Sequence, residues 1–175
     1  MLWNKQFEYP NSQRSIKGEY DINKLLLPSV TTVLNATQPE SKRKSLDKWT
    51  RRVGEDEATR IKELAGKRGT AMHFYLQKYL DPDCKGYMDL TQVGQVAEPM
   101  AKKIIEKGME DLTEVWGSEV TVYYPGLYAG ATDLAGIYDY SESIIDFKQS
   151  NKPKRKEWID DYFMQLGAYA MAHNT

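Results

Sequence analysis

Cysteine is almost absent from this sequence, whose 175 residues include one, Cys84, and only two histidines. A single thiol excludes an internal disulfide framework, a four-cysteine zinc site and an iron–sulfur cluster held by cysteines. No apolar run approaches the roughly 20 residues of a membrane span, and the first residues lack the apolar stretch of a signal peptide. We therefore expect a cytoplasmic protein without a membrane partner.

An excess of charge of either sign is also missing. The 24 Lys and Arg residues and the 25 Asp and Glu residues leave a formal net charge of −1. This balance excludes a uniformly basic surface, so a polyanionic ligand requires a local basic patch or metal ions. Hydrophobic residues make up 41% of the chain, which suits a single folded domain over 1–175.

The spacing of apolar and turn residues predicts helices first and a small sheet afterwards. Residues 1–40 form an N-terminal loop and helix region, 41–112 are helical, and 119–175 contain the sheet and the last helix. The individual helices are expected at 41–53, 55–81, 92–112 and 157–173, and the strands at 119–124, 131–140 and 144–148. The predicted fold class is α/β or α+β, with a small central mixed sheet flanked by helices.

Local signals refine these helices. Ser29 is a plausible N-cap of a short helix, because its hydroxyl can accept from an unpaired N–H of the first turn. Gly66 and Gly69 predict a break in the long helix or a close contact with another segment. Pro99 predicts a kink in the next helix.

Three charged residues on the last two predicted strands form the most informative group. Asp146 and Lys148 are two positions apart, so both side chains point to the same face of their strand. A tight, even-numbered loop before that strand places Asp133 on the same face. Neighbouring carboxylates hold a hard divalent cation such as Mg²⁺, and an adjacent lysine activates water or holds an anionic oxygen. These parts suit in-line attack of water on a phosphodiester.

The loop between the two strands sets the distance between the carboxylates. With a four-residue loop, 139–142, Asp133 lies opposite Lys148 and about 7–8 Å from Asp146 on the diagonal. A two-residue loop is expected to separate the two carboxylates by about 13 Å. The alternative interpretation is an ordinary amphipathic hairpin whose Asp146 and Lys148 are solvated surface charges.

Two further patterns are unremarkable alone. His73 follows Gly69 by one turn of a predicted helix, where a lone histidine is more often a packed or exposed bystander. Gln165 and Tyr169 are four positions apart on the last helix and share a face.

Four short motifs, taken in chain order, carry a resemblance to a known family. They are Gly69-x3-His73, Gly130-x2-Asp133, Asp146-x-Lys148 and Gln165-x3-Tyr169. In this order the chain resembles the RecB-like branch of the PD-(D/E)XK nuclease superfamily, and within it the mitochondrial genome maintenance exonucleases with their phage and bacterial relatives. The resemblance extends over roughly residues 27–173.

The resemblance implies a role for each matched residue. Asp133 and Asp146 would ligate one or two Mg²⁺ or Mn²⁺ ions, together with the main-chain carbonyl of Phe147. His73 would be a further metal ligand or would orient the site, and Lys148 would activate or position the attacking water.

The resemblance also implies the fold and the reaction. Gln165 and Tyr169 would brace the site and the DNA strand. The implied fold is a central mixed sheet with flanking helices, and the implied reaction is metal-dependent exonucleolytic hydrolysis of DNA, from single-stranded or flapped ends.

The chain departs from the family pattern in two places. Gln77 stands where many relatives have an acidic residue one turn after the histidine, so a second carboxylate would come from elsewhere. Glu119, at the head of the first predicted strand, is a candidate, although a carboxylate at the rim of the site is the simpler interpretation. Relatives continue past the helix of Gln165 and Tyr169, which implies that an edge strand is missing here.

DNA contacts are expected from two basic clusters, one at 42–52 and one directly after Lys148. Hydroxyl groups near the N-terminal cap would donate to phosphates, and a tryptophan would stack on a base. The candidate DNA-binding residues are Ser29, Thr31, Lys42, Arg43, Lys44, Trp49, Arg51, Gln149, Ser150, Lys152 and Lys154. Solvated helix surface is the alternative for the first cluster, and capping is the alternative for the hydroxyl groups.

Three other functions remain open from the sequence. An endonuclease would use the same site, and a non-catalytic DNA-binding protein would keep the fold without the reaction. A glycan hydrolase would use a carboxylate pair without a metal.

Overall fold

The computed structural model describes residues 1–151 and 153–175, including every side chain in these ranges except that of Glu157. A four-stranded sheet with parallel and antiparallel pairs is flanked by helices, which confirms the predicted fold class. In chain order the elements are β1 (Leu2–Trp3), β2 (Glu19–Ile22), β3 (Leu25–Pro28), α1 (Val30–Ala36), α2 (Glu40–Val53), α3 (Glu55–Leu80), α4 (Gln92–Gly108), β4 (Leu112–Tyr124), β5 (Tyr128–Tyr138), β6 (Ser141–Ile145) and α5 (Asp160–His173).

The sheet has the strand order β1-β4-β5-β6. Strands β4, β5 and β6 form the expected antiparallel meander, and β1 adds a short parallel edge beside β4. Strand β4 begins at Leu112, seven residues before the predicted start, because Leu112 and Val115 are buried in the core and extend the ladder. Strands β2 and β3 form a separate hairpin that the sequence analysis did not predict.

Apolar side chains of α3 and α4 pack against the sheet in the larger core. This core contains Ala71, Met72, Leu76, Leu80, Ala97, Ala101, Met109, Leu112, Val115 and Leu134. The hydrophobic face of α3 therefore lies in its C-terminal half, which also carries His73. A smaller core joins α1 and α5 to the sheet through Val30, Val122, Tyr169 and Ala172.

Helix α4 ends at Gly108, four residues before its predicted end at 112, whereas α2 and α3 follow their predicted bounds to within one residue. Helix α3 differs from the prediction in its interior. The helix runs without a break through Gly66 and Gly69, so the prediction of a break is wrong. The alternative, an unusually close approach, is not found at these two glycines either, because a Cβ would meet no atom within 4 Å at Gly66 and an ordinary van der Waals neighbour at Gly69. A Cβ at position 69 would lie 3.6 Å from the amide nitrogen of Gln149. Pro99 lies inside α4.

The N-termini of α1 and α5 show further local detail. Ser29 is the N-cap of α1 and accepts a hydrogen bond from the backbone N–H of Thr32, as predicted. A short 3₁₀ turn, Lys156–Trp158, precedes α5, so the last helix begins three residues later than expected. Across the described residues, none of the helices combines the length and the apolar character that a membrane crossing needs.

Candidate active site

Strand pairing places three carboxylates side by side across β4, β5 and β6. Ser118 and Val120 pair with Leu134 and Thr132, so Glu119 and Asp133 lie opposite each other between these pairs. Leu134 pairs with Ile145, and the same register continued by one residue brings Asp146 beside Asp133. Opposite residues on neighbouring strands project to the same face and have their Cβ atoms about 4.5–5.5 Å apart.

This register corrects the expectation drawn from loop length. The connection between β5 and β6 has two residues, Asp139 and Tyr140, and both have positive φ angles, 46° and 60°. This backbone is typical of the type I′ hairpin turn. Because the turn ends two residues earlier than the predicted loop 139–142, Asp133 lies beside Asp146 and not opposite Lys148. The separation of about 13 Å expected for a two-residue loop is therefore wrong.

Asp133 connects the strands to helix α3. The side chain is buried, with 7% of its surface exposed. Its Oδ2 accepts a hydrogen bond of 2.5 Å from the backbone N–H of Phe147, and its Oδ1 lies 3.3 Å from Nδ1 of His73. The carboxylate is therefore fixed by one neighbour from β6 and one from α3.

His73 is held between acceptors on both sides of its ring. Nδ1 faces Oε1 of Glu119 at 3.2 Å as well as Asp133, and Nε2 donates to the carbonyl of Phe147 at 3.0 Å. Burial of the ring lowers the pKa of His73, but the hydrogen bonds and negative charges of Asp133 and Glu119 outweigh burial and raise this pKa to about 10. In the metal-free protein, His73 is therefore an imidazolium that donates from both nitrogens.

Glu119 has an unusual backbone for a residue inside a strand. Its φ angle is +53°, in the left-handed region that residues other than glycine rarely adopt. Holding a side chain there costs on the order of 1–3 kcal/mol, and such strain is found at functional sites more often than elsewhere. The carboxylate that this backbone presents reaches His73, so Glu119 belongs to the site.

Asp146 and Lys148 form an ion pair at the other end of the row. The ammonium of Lys148 contacts Oδ2 of Asp146, whose side chain is 6% exposed. Burial raises the pKa of Asp146, and the charge of Asp133 raises it further, although Lys148 acts in the opposite direction. The two neighbouring carboxylates therefore repel each other, and a cation between them would remove this repulsion.

Gln165 and Tyr169 brace this row from α5. The Nε2 group of Gln165 donates to Oδ1 of Asp146 at 3.3 Å and to the hydroxyl of Tyr169 at 2.9 Å. Both side chains are buried, at 8% and 3% exposure. The ring of Tyr169 packs so closely on Gly130 that a Cβ there would overlap it, and burial raises the pKa of this phenol. In the motif Gly130-x2-Asp133, the glycine thus makes room for the ring of Tyr169, and the aspartate contacts Phe147 and His73.

Lys148 has a second neighbour that the sequence analysis did not identify. Its ammonium lies 5.6 Å from the centre of the Tyr162 ring, in cation–π geometry. Tyr162 precedes Gln165 by three residues on α5, so both share one helix face. That spacing was the available signal for Tyr162.

The donor groups of His73, Glu119 and Asp133 fit a divalent cation. Their ligand atoms all lie within 4.8 Å of one another, and two carboxylates with one imidazole are ligands that divalent metals accept. The carbonyl of Phe147 lies on the opposite side of the imidazole ring from Nδ1. Glu119 and Asp133 therefore lie near Nδ1 of His73. The carbonyl of Phe147, which was predicted as a metal ligand, lies near the other ring nitrogen.

The predicted DNA-binding residues are more dispersed, and several have intramolecular partners. Ser29 is buried and bonded to Arg14, Thr31 and Thr32. On α2, Lys42 pairs with Asp161 at 2.7 Å and Lys44 pairs with Glu40 at 2.9 Å, while Arg43 donates to the carbonyl of Gln38 and Trp49 lies beneath the ammonium of Lys62. Arg51, Ser150 and Lys154 are exposed. Gln149 is bonded to helix α3, and Lys152 lies outside the described residues.

Glu119 and Asp133 on the sheet, Asp146 and Lys148 after β6, and His73 on α3 thus lie in one cluster, and three of these residues could hold a metal ion. The curated relatives of the chain are named exonucleases. The chain is 30% identical to human mitochondrial genome maintenance exonuclease 1 over 183 residues, an alignment that covers 95% of this chain and 50% of the human protein.

Two more relatives bear the same name. The frog protein of Xenopus tropicalis is 29% identical over 160 residues, with 85% of this chain and 43% of the frog protein covered. The mouse protein is 27% identical over 135 residues, with 73% and 38% covered. The chain thus spans half or less of the length of these relatives, and no protein-family profile matches it. These similarities indicate a nuclease family.

Proposed function

We propose that this protein is a metal-dependent DNA exonuclease of the RecB-like branch of the PD-(D/E)XK nucleases, acting on single-stranded or flapped ends. The observation that carries the proposal is the row of Glu119, Asp133 and Asp146 across three neighbouring strands, with His73 at one end and Lys148 at the other. The names of the curated relatives support the exonuclease activity. The domain is proposed to be a single nuclease unit.

The proposed division of labour follows the contacts. Glu119, Asp133 and His73 would hold a Mg²⁺ or Mn²⁺ ion, and Asp146 beside Asp133 would complete the first site or contribute to a second. When bound, the cation supplies Lewis acidity toward a phosphodiester and acidifies water. His73 must give up its Nδ1 proton for the nitrogen to become a ligand.

The remaining residues act on position and charge. Asp146 keeps the ammonium of Lys148 beside the carboxylate row, where it would hold the negative charge that develops on the attacked phosphate. Gln165 orients Asp146, and Tyr169 anchors Gln165 against Gly130. The carbonyl of Phe147 orients the imidazole of His73.

Digestion of end-labelled DNA tests this function. Single-stranded, double-stranded and flapped DNA are incubated with Mg²⁺, Mn²⁺, Ca²⁺ or EDTA, together with circular single-stranded DNA. We expect hydrolysis of linear and flapped strands with Mg²⁺ or Mn²⁺, no hydrolysis in EDTA, and survival of the circle. Rapid loss of the circle would show an endonuclease, and full activity in EDTA would refute the metal-dependent reaction.

A further inference from the structure

The segment that follows Lys148 is tied to helix α3 by a small hydrogen-bond network. Nε of Arg68 donates to Oε1 of Gln149 at 2.6 Å, and Nη2 of Arg68 donates to Oδ1 of Asn151 at 2.7 Å. Nε2 of Gln149 donates to the carbonyl of Ala65 at 2.7 Å. Both the oxygen and the nitrogen of the Gln149 amide are thus hydrogen-bonded to α3. This arrangement favours a structural role over direct binding of DNA.

The same segment also contacts α3 at the site itself. Phe147 accepts a hydrogen bond from His73, Gln149 is bonded to Ala65 and Arg68, and Asn151 is bonded to Arg68. Ala65 and Arg68 are three positions apart and lie on one face of α3, and His73 follows Arg68 by five residues. The segment therefore lies alongside α3 in the opposite direction, with contacts at alternate residues.

We infer that Arg68 and Gln149 are positioning residues, which hold the Phe147–Lys148 segment against the helix that carries His73. The inference rests on the proposed function, since it concerns the same site. Without the network, fewer contacts would fix the position of His73 on α3 relative to Lys148 after β6. A planar guanidinium suits this task, because its fixed fork presents two donors to two acceptors at once.

The alternative is that Arg68 binds a DNA phosphate directly, which would place its effect on DNA affinity. The two interpretations differ in what is lost when the side chain is removed. A positioning residue changes the geometry of the metal and lysine groups, so it lowers kcat and metal affinity. A phosphate contact weakens DNA binding and reduces its salt dependence.

Single and double alanine variants test the inference in the full chain. Arg68→Ala, Gln149→Ala and the double variant are compared with wild type for kcat and KM on end-labelled single-stranded DNA, DNA affinity in Ca²⁺, and Mn²⁺ affinity by titration. We expect a loss of about 10- to 100-fold in kcat and in Mn²⁺ affinity, with DNA affinity within about twofold. Because the two residues act as one unit, the double variant should be no worse than the worse single variant.

Two further variants separate position from fold and charge. Arg60→Ala is the matched control, because Arg60 pairs with Glu57 on the exposed surface of the same helix, and it should leave kcat and Mn²⁺ affinity unchanged. Gln149→Glu keeps an acceptor for Arg68 and should recover part of the activity that Gln149→Ala loses. Far-UV circular dichroism and unfolding curves identify any variant that fails to fold, and the Glu variant then carries the comparison.

Each other result contradicts one specific statement. Unchanged kcat and Mn²⁺ affinity in a folded Arg68→Ala variant would overturn the positioning role. Weaker DNA binding with a lower salt slope and unchanged kcat would show a phosphate contact instead. If wild type hydrolyses no DNA with any metal, the proposed function fails, whereas Mn²⁺ titration of the same variants still decides whether the network positions the site.

Discussion

The carboxylate row and helix α2 are built in opposite ways. Asp133 on β5 and Asp146, the residue after β6, have buried side chains, and each has hydrogen-bond partners on other elements. Helix α2 has no buried residue, and Lys42, Arg43 and Lys44 are engaged in exposed contacts. Strand pairing and buried contacts therefore hold the carboxylates in place, whereas the basic helix offers exposed charge that water and salt screen.

The largest effect that this comparison predicts is at Asp146. Asp146→Asn removes the charge of one carboxylate in the row and the ionic partner of Lys148, so we expect hydrolysis of end-labelled DNA to fall by about 10³-fold or more. DNA binding in Ca²⁺ should persist. Asp139→Asn is the matched control, because Asp139 is exposed in the β5–β6 turn and asparagine tolerates its positive φ angle. Normal cleavage by the Asp146→Asn variant would show that the active site is elsewhere.

The next effect concerns the brace behind the row. In Gly130→Ala the added methyl overlaps the ring of Tyr169, and we expect unfolding free energy to fall by about 1–3 kcal/mol together with a loss of activity through Gln165. Gly167 lies on α5, the helix of Tyr169, and a Cβ there meets no atom within 4 Å. Gly167→Ala should therefore stabilise the protein by up to about 1 kcal/mol. Denaturant unfolding measures both, and equal stability of the two variants would contradict the packing argument.

The third prediction concerns pH in the absence of metal. His73 has a pKa of about 10 in the folded protein against an ordinary value of 6.5. The contribution of protonated His73 to the free energy of unfolding is therefore complete below pH 6.5. This contribution is lost as pH rises toward 10, because over that interval the folded state holds the proton and the unfolded state does not. We expect wild type to lose roughly 2–4 kcal/mol relative to His73→Gln over this interval in EDTA. If the unfolding free energies of the two proteins changed in parallel with pH, the pKa of His73 would not be raised in the folded state.

The smallest effect is expected on α2. Lys48 and Arg51 are exposed on this helix, and Lys48→Ala with Arg51→Ala should weaken single-stranded DNA binding a few-fold while leaving kcat unchanged. If both contact phosphates, the salt slope of binding falls by about 0.7 per charge. Lys107→Ala on α4 removes one exposed cation elsewhere and serves as control. An equal effect of the control would mean that net charge and not α2 determines affinity.

Much of the fold could be predicted because its signals are local. The cap at Ser29 and the bounds of α2 and α3 follow from capping chemistry and from helical periodicity. The break expected at Gly66 and Gly69 is absent because a glycine costs only about 1 kcal/mol in a helix. Packing of the following turns, including Met72 and Leu76, outweighs that cost.

What could not be predicted depends on partners far along the chain. Strand β1 has two residues and exists only through its pairing with β4. The β2–β3 hairpin did leave a signal, since buried Tyr20 and Ile22 alternate with polar residues before a turn at Asn23 and Lys24, both with positive φ angles. That alternation is too short to separate a strand from a loop by pattern alone.

The candidate site shows the same division. The shared face of Asp133, Asp146 and Lys148 followed from the strand period. His73, on a helix, was named only through the resemblance of the four motifs to a nuclease family. The place of Glu119 was left open, because its left-handed backbone is invisible in a pattern of residue types. The contacts of Gln149 with α3 join residues more than 80 positions apart, for which the sequence carries no local signal.

The hairpin turn at Asp139 and Tyr140 has a consequence for how the chain tolerates changes in length. Exposed loops usually accept an inserted residue, because little packs against them. If the turn kept its two residues, one inserted residue would pass into β6, shift the register of that strand by one position and send Asp146 to the opposite face of the sheet. A solvent-facing bend distant from the chemistry is thus as length-sensitive as a buried strand, whereas the polar stretch between α3 and α4 should accept insertions freely.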